Sequence, residues 1–510
     1  MDVRLICGLE EKETLQKNVR AFWGSENVVF VEDIKPEDND NCIIVINHNQ
    51  VPKLKSLRLN AYKKLYIHSF GQIISVDRED SLVMMRKEAI INNRLEEAKM
   101  LNDLLIDINF INRNSKLSSM PDYLQIETTS YCNAQCIMCS HYFNDNKDAA
   151  HLDNATLFNM EDAIQMSHTI SLNGMGEPFI SDRLHDQLDY YASFKNRIVT
   201  NTNLSVLNER LIEQINDHFE WLEISCDGAT KETYEAIRKN LSFDVFLNNL
   251  LTLKEKCPNV RKHVATVIMR QNVHEMPELV KLASKAGANI ITFMTLNSNI
   301  IIRNQHDEMS NYPKVLNYYS VQALKMGDLC KIPVIVPNVR ELDYDITFED
   351  IAEELHRMKQ IPLFKDSQGI EQMKRTAGVV SEYLETHDEV QRDTKPSDVP
   401  CKGICDWLLK RSYIDLQGNV AMCCRNQSFQ MGNVNDNGSF ESVWNSAFYQ
   451  KLRSIFYEGH LPESCLKCGL IESGNLQYLE VEMSDKFYCD AAFKKRQKSI
   501  LKDLIPEGVD

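Results

Sequence analysis

The chain has 510 residues, of which 43% are hydrophobic and 25% charged, with a formal net charge of −16. That length suits about three domains. An acidic balance argues against a generic nucleic-acid binder, which needs a basic face for phosphates. The start, Met1-Asp2-Val3-Arg4, lacks the pattern of a signal peptide, and no run approaches the roughly 18 apolar residues of a membrane span. A cytoplasmic location is expected. The 15 cysteines are far too few for a disulfide scaffold, and their clustering in a reducing compartment points to metal or catalysis.

In chain order, residues 1–118 read as an N-terminal Rossmann-like α/β domain. Short apolar runs "DVRLICG" (2–8), "NVVFVED" (27–33), "NCIIVINH" (41–48) and "KKLYIHSFG" (63–71) suit buried strands, and 10–23 has helical spacing. No Gly-rich phosphate loop accompanies them, so the pattern assigns the domain no nucleotide. One long helix is expected over about 85–110, then a polar boundary at 112–122. Residues 119–300 alternate strand and helix. "YLQIETT", "TISLNG", "RIVTNT", "WLEISCDG", "HVATVIM" and "NIITFMT" form six strand-like runs, the pattern of an α/β fold with a partial (β/α)6 barrel. Residues 301–400 form a helical bridging region that ends in the loop 391–400. Residues 401–475 are a small cysteine-bearing domain, and 476–510 a helical tail whose basic run at 494–498 reads as a solvated face.

"TTSYCNAQCIMCSHYF" (128–143) puts Cys132, Cys136 and Cys139 just past the first barrel strand, at the end where parallel barrels carry their chemistry. Paired CxxC knuckles of a structural zinc site are missing, although His141 could complete one. Three thiolates on a cubane iron–sulfur cluster leave one iron open to a small chelating molecule. This CxxxCxxC spacing resembles the radical S-adenosylmethionine (radical SAM) superfamily, and its company strengthens the resemblance. "NGMGEPF" (173–179) resembles the family's Gly-Gly-Glu-type motif, at Met175, Gly176, Glu177 and Pro178. "TNTNLS" (200–205) resembles its Thr-Asn-Gly-type turn, with Asn203 where glycine is common. "EISCDGATKETYEAIRKN" (223–240) supplies Ser225 and Asp227 for the ribose region and Arg238 for the SAM carboxylate. Met138 departs from the aromatic residue common before the third cysteine, but it keeps an apolar cover for adenine. The resemblance implies reductive cleavage of SAM to methionine and a 5′-deoxyadenosyl radical, which takes a substrate hydrogen atom. It also implies an electron donor such as flavodoxin or ferredoxin.

"CDWLLKRSYIDLQGNVAMCC" (405–424), which reads as a hairpin, and "LPESCLKCG" (461–469) resemble the SPASM/twitch extension of these enzymes. The absence of further cysteines before Cys489 favours the twitch-like form with one auxiliary [4Fe–4S] cluster, on Cys405, Cys423, Cys465 and Cys468. Cys424 is the alternative to Cys423 and Cys401 to Cys405, and a zinc ribbon is the alternative for the block. Four thiolates occupy such a cluster fully, so it suits electron transfer.

A single auxiliary cluster suits oxidation. The leading expectation is therefore a radical SAM oxidoreductase acting on a C–H bond of a small polar metabolite, a sugar or cyclitol. The alternative is modification of a ribosomally made peptide by epimerisation, thioether formation or C–C cross-linking. An epimerase needs a hydrogen-atom donor, for which Cys330 is the candidate. Cys7, Cys42, Cys226, Cys257 and Cys489 read as structural. A non-enzymatic iron–sulfur or zinc protein would leave Glu177, Asp227 and Arg238 without a role.

Overall fold

The computed structural model describes residues 2–6, 28–30, 42–47, 65–69, 72–75, 79–139, 141, 150–296, 307–337, 341–361, 396–400, 405–424, 426–462 and 465. The four expected N-terminal strands form: β1 (Asp2–Ile6), β2 (Val28–Phe30), β3 (Cys42–Asn47) and β4 (Leu65–Ser69), all parallel in the order β2-β1-β3-β4. A fifth strand with no signal in the sequence, β5 (Gln72–Ser75), returns antiparallel on β4. The expected helix 10–23 and the tail 476–510 lie outside the described residues. The single helix expected near 85–110 is two, Glu79–Ile91 and Leu95–Asn112. Asn93 breaks them apart with φ +55°, a left-handed conformation that no helix interior accommodates.

All six expected barrel strands are present: β6 (Tyr123–Ile126), β7 (Thr169–Ser171), β8 (Arg197–Thr202), β9 (Phe219–Ser225), β10 (Arg261–Ile268) and β11 (Ile290–Thr295). They pair in parallel in sequence order, and the short β12 (Val334–Ile335) extends the β11 edge. Alternate residues such as Leu124, Ile170, Ile198, Leu222, Val264 and Ile291 join the main hydrophobic cluster beneath the helices. Each βα unit thereby buries one face of its strand, as parallel sheets require.

At its other edge this sheet is continued by the cysteine-bearing domain. β13 (Arg411–Ile414) pairs in parallel with β6, Tyr413 opposite Gln125, and β14 (Asn419–Cys423) and β15 (Asn426–Asn433) follow antiparallel. The result is one ten-stranded sheet. Gly418, at φ +81°, closes the expected hairpin between β13 and β14. Residues 391–400 were expected as loop, yet Pro396–Pro400 pairs antiparallel with His460–Pro462. Prolines sit there because an edge strand does not need every N–H.

Arg453 fastens this domain down. It is fully buried without a carboxylate: Nε donates to the Leu408 carbonyl (2.7 Å), Nη1 donates to that of Ser115 (3.0 Å), and the guanidinium lies 4.5 Å from the Trp444 ring centre. Burial draws its pKa down to about 10. Asn102 does similar work for the helical pair, exchanging both backbone hydrogen bonds with Met120.

At the N-terminal end of the sheet, the Asp122 N–H donates to the Lys410 carbonyl (2.9 Å). Burial raises its half-buried carboxyl to about 6, opposed by the charge of Lys410 and reinforced by Asp103. A raised folded pKa means this group favours folding fully below about pH 4, an advantage lost as pH rises through about 6. Asp122→Asn should therefore melt higher than the parent above pH 6, by about 1–2 kcal/mol after allowing for solvent screening, and lose that advantage by about pH 4. Melting curves of both proteins across that range check the sign.

Candidate active site

The loop after β6 carries Cys132, Cys136 and Cys139, held by backbone contacts. Gln135–Cys136 pairs antiparallel with Arg238–Lys239, Ile137 N–H donates to the Ile237 carbonyl (3.0 Å), and Cys139 N–H donates to that of Cys136 (3.0 Å). Cys136 is buried; Cys132 and Cys139 are partly exposed. Burial pushes the Cys132 thiol up to about 11 and that of Cys136 up to about 12, so only a strong positive neighbour would hold them as thiolates. Among the described residues, no group of three or more His, Cys, Asp or Glu is placed to hold a metal ion. Cubane thiolates each take a different iron and need not converge as ligands of one ion do. His141 is turned aside from the zinc role, with Nε2 2.6 Å from the Ser130 carbonyl oxygen.

The loop after β7 closes onto this one. Glu177 N–H donates to the Tyr131 carbonyl (2.8 Å). A Cβ on Gly176 would stand 2.3 Å from the Thr129 carbonyl oxygen and 2.5 Å from that of Tyr131, so only glycine permits the approach. Met175 is 37% exposed and Tyr131 40%, which leaves an apolar rim beside Cys132. Glu177 itself is buried and saturated: it accepts from Thr202 Oγ1 (2.6 Å), Asn203 N (2.6 Å) and Phe179 N (3.2 Å). Its side chain is thus a tie between the second and third loops.

Asn203 donates through Nδ2 to Asn133 Oδ1 (3.0 Å), next to Cys132. The left-handed residue of this turn is Leu204, φ +53°, rather than Asn203 at the position compared with glycine. Ser225 ends β9, half-buried beside Ala265. Asp227 is fully buried, with Oδ1 accepting from Val267 N (2.8 Å) and Oδ2 2.7 Å from Arg238 Nη2. Arg238 also points Nη1 at Cys136 Sγ (3.8 Å), while its buried Nε has no partner. Burial lowers the Arg238 pKa, but Asp227 and the Cys136 thiol raise it more, so it stays a cation. Asp227 and Arg238, expected to act separately on SAM, form one buried ion pair against a cluster cysteine. Met138 packs with Ile137, Ile237, Met269 and Leu296, an apolar wall at the same place.

The sheet face turned away from the helices carries a polar patch beside Val199, Trp221 and Ala265. Cross-strand pairs place Gln125 by Ser171, Asn201 by Glu223, and Glu223 by His263. Burial lowers His263 to about 4, so its ring is neutral near pH 7.

In the C-terminal domain, Cys405, Cys423 and Cys465 stand together. Burial, then the charges of Cys423 and Cys465, raise the Cys405 thiol well above its ordinary value. Cys424 packs with Cys405 and Cys423 against Trp407, Tyr413 and Ala421. Cys401 and Cys468 lie outside the described residues. Cys330 is misplaced for a hydrogen-atom donor: it ends helix Pro313–Cys330, its carbonyl accepts from Ser284 Oγ, and it precedes β12. That is the N-terminal end of the parallel strands, opposite the three-cysteine loop. Cys226 and Cys257 are core residues, as expected.

Two family models match: the radical SAM superfamily over residues 126–283 and an iron–sulfur cluster-binding SPASM domain over 405–469. The chain carries a radical SAM domain and a SPASM domain. The radical SAM domain coincides with the loops just described, and the donor chemistry fits a [4Fe–4S] cluster and SAM: three thiols on one loop, a glycine cradle and an orphaned guanidinium nitrogen. The mycofactocin maturases of Mycolicibacterium smegmatis and Mycobacterium tuberculosis are 26% and 27% identical over 172 and 173 residues. These matches cover 33% of this chain, and 43% and 44% of theirs, so the chain spans less than half the length of the curated relatives it matches. An uncharacterized protein of Methanocaldococcus jannaschii is 23% identical over 240 residues, 44% of this chain and 76% of that one. The structure of Streptococcus suis SuiB bound to S-adenosylmethionine aligns with TM-score 0.47 and 14% identity, over 80% of this chain and 88% of that one. No helix among the described residues is long and apolar enough to cross a membrane.

Proposed function

We propose that the chain is a radical SAM maturase that modifies a C–H bond of a peptide, with one auxiliary cluster in its SPASM domain. The similarity to the two mycofactocin maturases carries this reading and favours it over oxidation of a sugar or cyclitol. When bound, the cluster and SAM supply what side chains lack: reductive cleavage of SAM and hydrogen-atom abstraction. Cys132, Cys136 and Cys139 hold the first cluster; Cys405, Cys423, Cys465 and Cys468 hold the auxiliary one. The backbone of Met175–Glu177 receives the SAM amino group, Arg238 its carboxylate, and Ser225 and Asn203 flank the ribose region. Asp227 keeps Arg238 charged and aimed, since the pair is buried. Polar side chains on the sheet face turned away from the helices, Gln125, Asn201 and Glu223 among them, orient the substrate. Flavodoxin or ferredoxin delivers the electron.

Reduced, reconstituted protein should form 5′-deoxyadenosine faster when a peptide fraction from the source cells is added than with a small-metabolite fraction. A peptide in that fraction should change mass. Stimulation by the small-metabolite fraction alone would return the reading to a sugar or cyclitol.

A further inference from the structure

Glu127 follows β6 and lies outside every motif of the radical SAM domain described above. Its side chain is buried, 5% exposed, and burial raises its pKa. Two facts explain its presence. Oε1 accepts from the Met175 N–H at 2.6 Å. A Cβ on Gly174 would stand 2.3 Å from Glu127 Cγ and 2.6 Å from Oε1, so glycine at 174 is what lets this carboxylate reach the loop. Gly174, Met175 and Gly176 therefore lie on two supports: Glu127 beneath the first two, and the Thr129 and Tyr131 carbonyls beneath the third.

The same residue touches the C-terminal hairpin. Its backbone N–H donates to the Ile414 carbonyl (2.9 Å). Ile414 ends β13, before the turn that Asp415 organises by accepting from Gln417 N and Asn419 N (2.9 Å each). Glu127 thus joins the end of β6, which leads into the three-cysteine loop, to the loop after β7 through its side chain and to the SPASM hairpin through its backbone.

We infer that Glu127 is a positioning residue: it fixes the Gly174–Gly176 backbone in the conformation that receives the SAM amino group, and makes that conformation depend on the docked hairpin. This rests on the reading of the loop as the SAM site. A backbone loop that must present its groups to a ligand gains affinity from being held beforehand. A buried carboxylate is a strong clamp because an acceptor charge shortens and strengthens N–H hydrogen bonds.

The test is SAM binding by isothermal titration to anaerobically reconstituted protein, together with iron content, melting temperature and the electron paramagnetic resonance change that SAM induces in the reduced cluster. Glu127→Ala and Gly174→Ala should each weaken SAM binding about tenfold or more and shrink the spectral change, with iron content kept. Glu127→Gln, whose amide oxygen can still accept from Met175, should stay within about threefold of the parent. If Glu127→Ala loses iron, Gly174→Ala against Glu127→Gln decides. All variants binding SAM like the parent, or Gln failing as badly as Ala, would overturn the inference. A parent protein with intact clusters that binds no SAM would instead overturn the reading of the loop.

Discussion

Replacing Cys132, Cys136 and Cys139 together with alanine should reduce 5′-deoxyadenosine formation to background while leaving the protein brown. Two sets of cysteines stand in separate parts of the fold: the first on the loop after β6, the second beside the β13–β14 hairpin, with Cys405 under the influence of Cys423 and Cys465. Each set has its own backbone support, and the hydrogen bonds that dock the hairpin run through Glu127, Lys410 and Arg453 rather than through the first cysteines. Losing one cluster should therefore remove about half of the iron, since one of two [4Fe–4S] clusters goes. Iron analysis and anaerobic absorbance measure this directly. Loss of all iron would show that the second set cannot hold a cluster alone, and an unchanged content would remove the first set as ligands.

Asp307→Ala should destabilise the fold by about 3–5 kcal/mol, because it removes the carboxylate paired with a buried arginine. Arg270, just past β10, donates from Nε (2.8 Å) and Nη2 (2.6 Å) to Asp307 Oδ1, and both side chains are almost wholly inaccessible. Nη1 donates to the carbonyls of Met358 (3.1 Å) and Ile361 (2.9 Å). This guanidinium therefore pins the region after β11, including the end of helix Ala352–Gln360, to the rim of the sheet that carries the site. The charge alone is not the asset: buried pairs barely repay their desolvation, so replacing both partners with apolar residues should recover much of the loss. Thermal melts of Asp307→Ala and of Arg270→Met/Asp307→Leu measure the two effects. Equal melting of the single variant and the parent would mean that the region is held elsewhere.

Much of the architecture was legible without coordinates because its signals are local. Six apolar runs separated by helical spacers gave the six parallel strands, since parallel pairing needs a crossover after each one. The CxxxCxxC spacing with its two companion loops located the candidate site, because all three lie where successive strands end. Where the structure differs, the cause is physical. Nothing in the spacing of 85–110 announced the break at Asn93, which a left-handed residue makes. Cys330 looked available in the sequence, yet the direction of its helix carries it to the wrong end of the sheet. Glu127, Asn133 and Thr202 escaped notice because their partners are distant in sequence or belong to the backbone.

What the sequence determined by itself was the chemistry on offer: which thiols cluster, which glycines open a turn, and which strands alternate with helices. Those follow from covalent spacing and from hydrophobic periodicity, and neither depends on how distant segments meet. Tertiary structure alone decided that Asp227 and Arg238 act as one pair, that Cys423 and Cys465 come close enough to raise the Cys405 thiol, and that β13 joins β6. Each of these is a contact between parts of the chain whose meeting no local pattern encodes. It is fixed only when burial leaves a charge, a thiol or an unpaired strand edge one place to go.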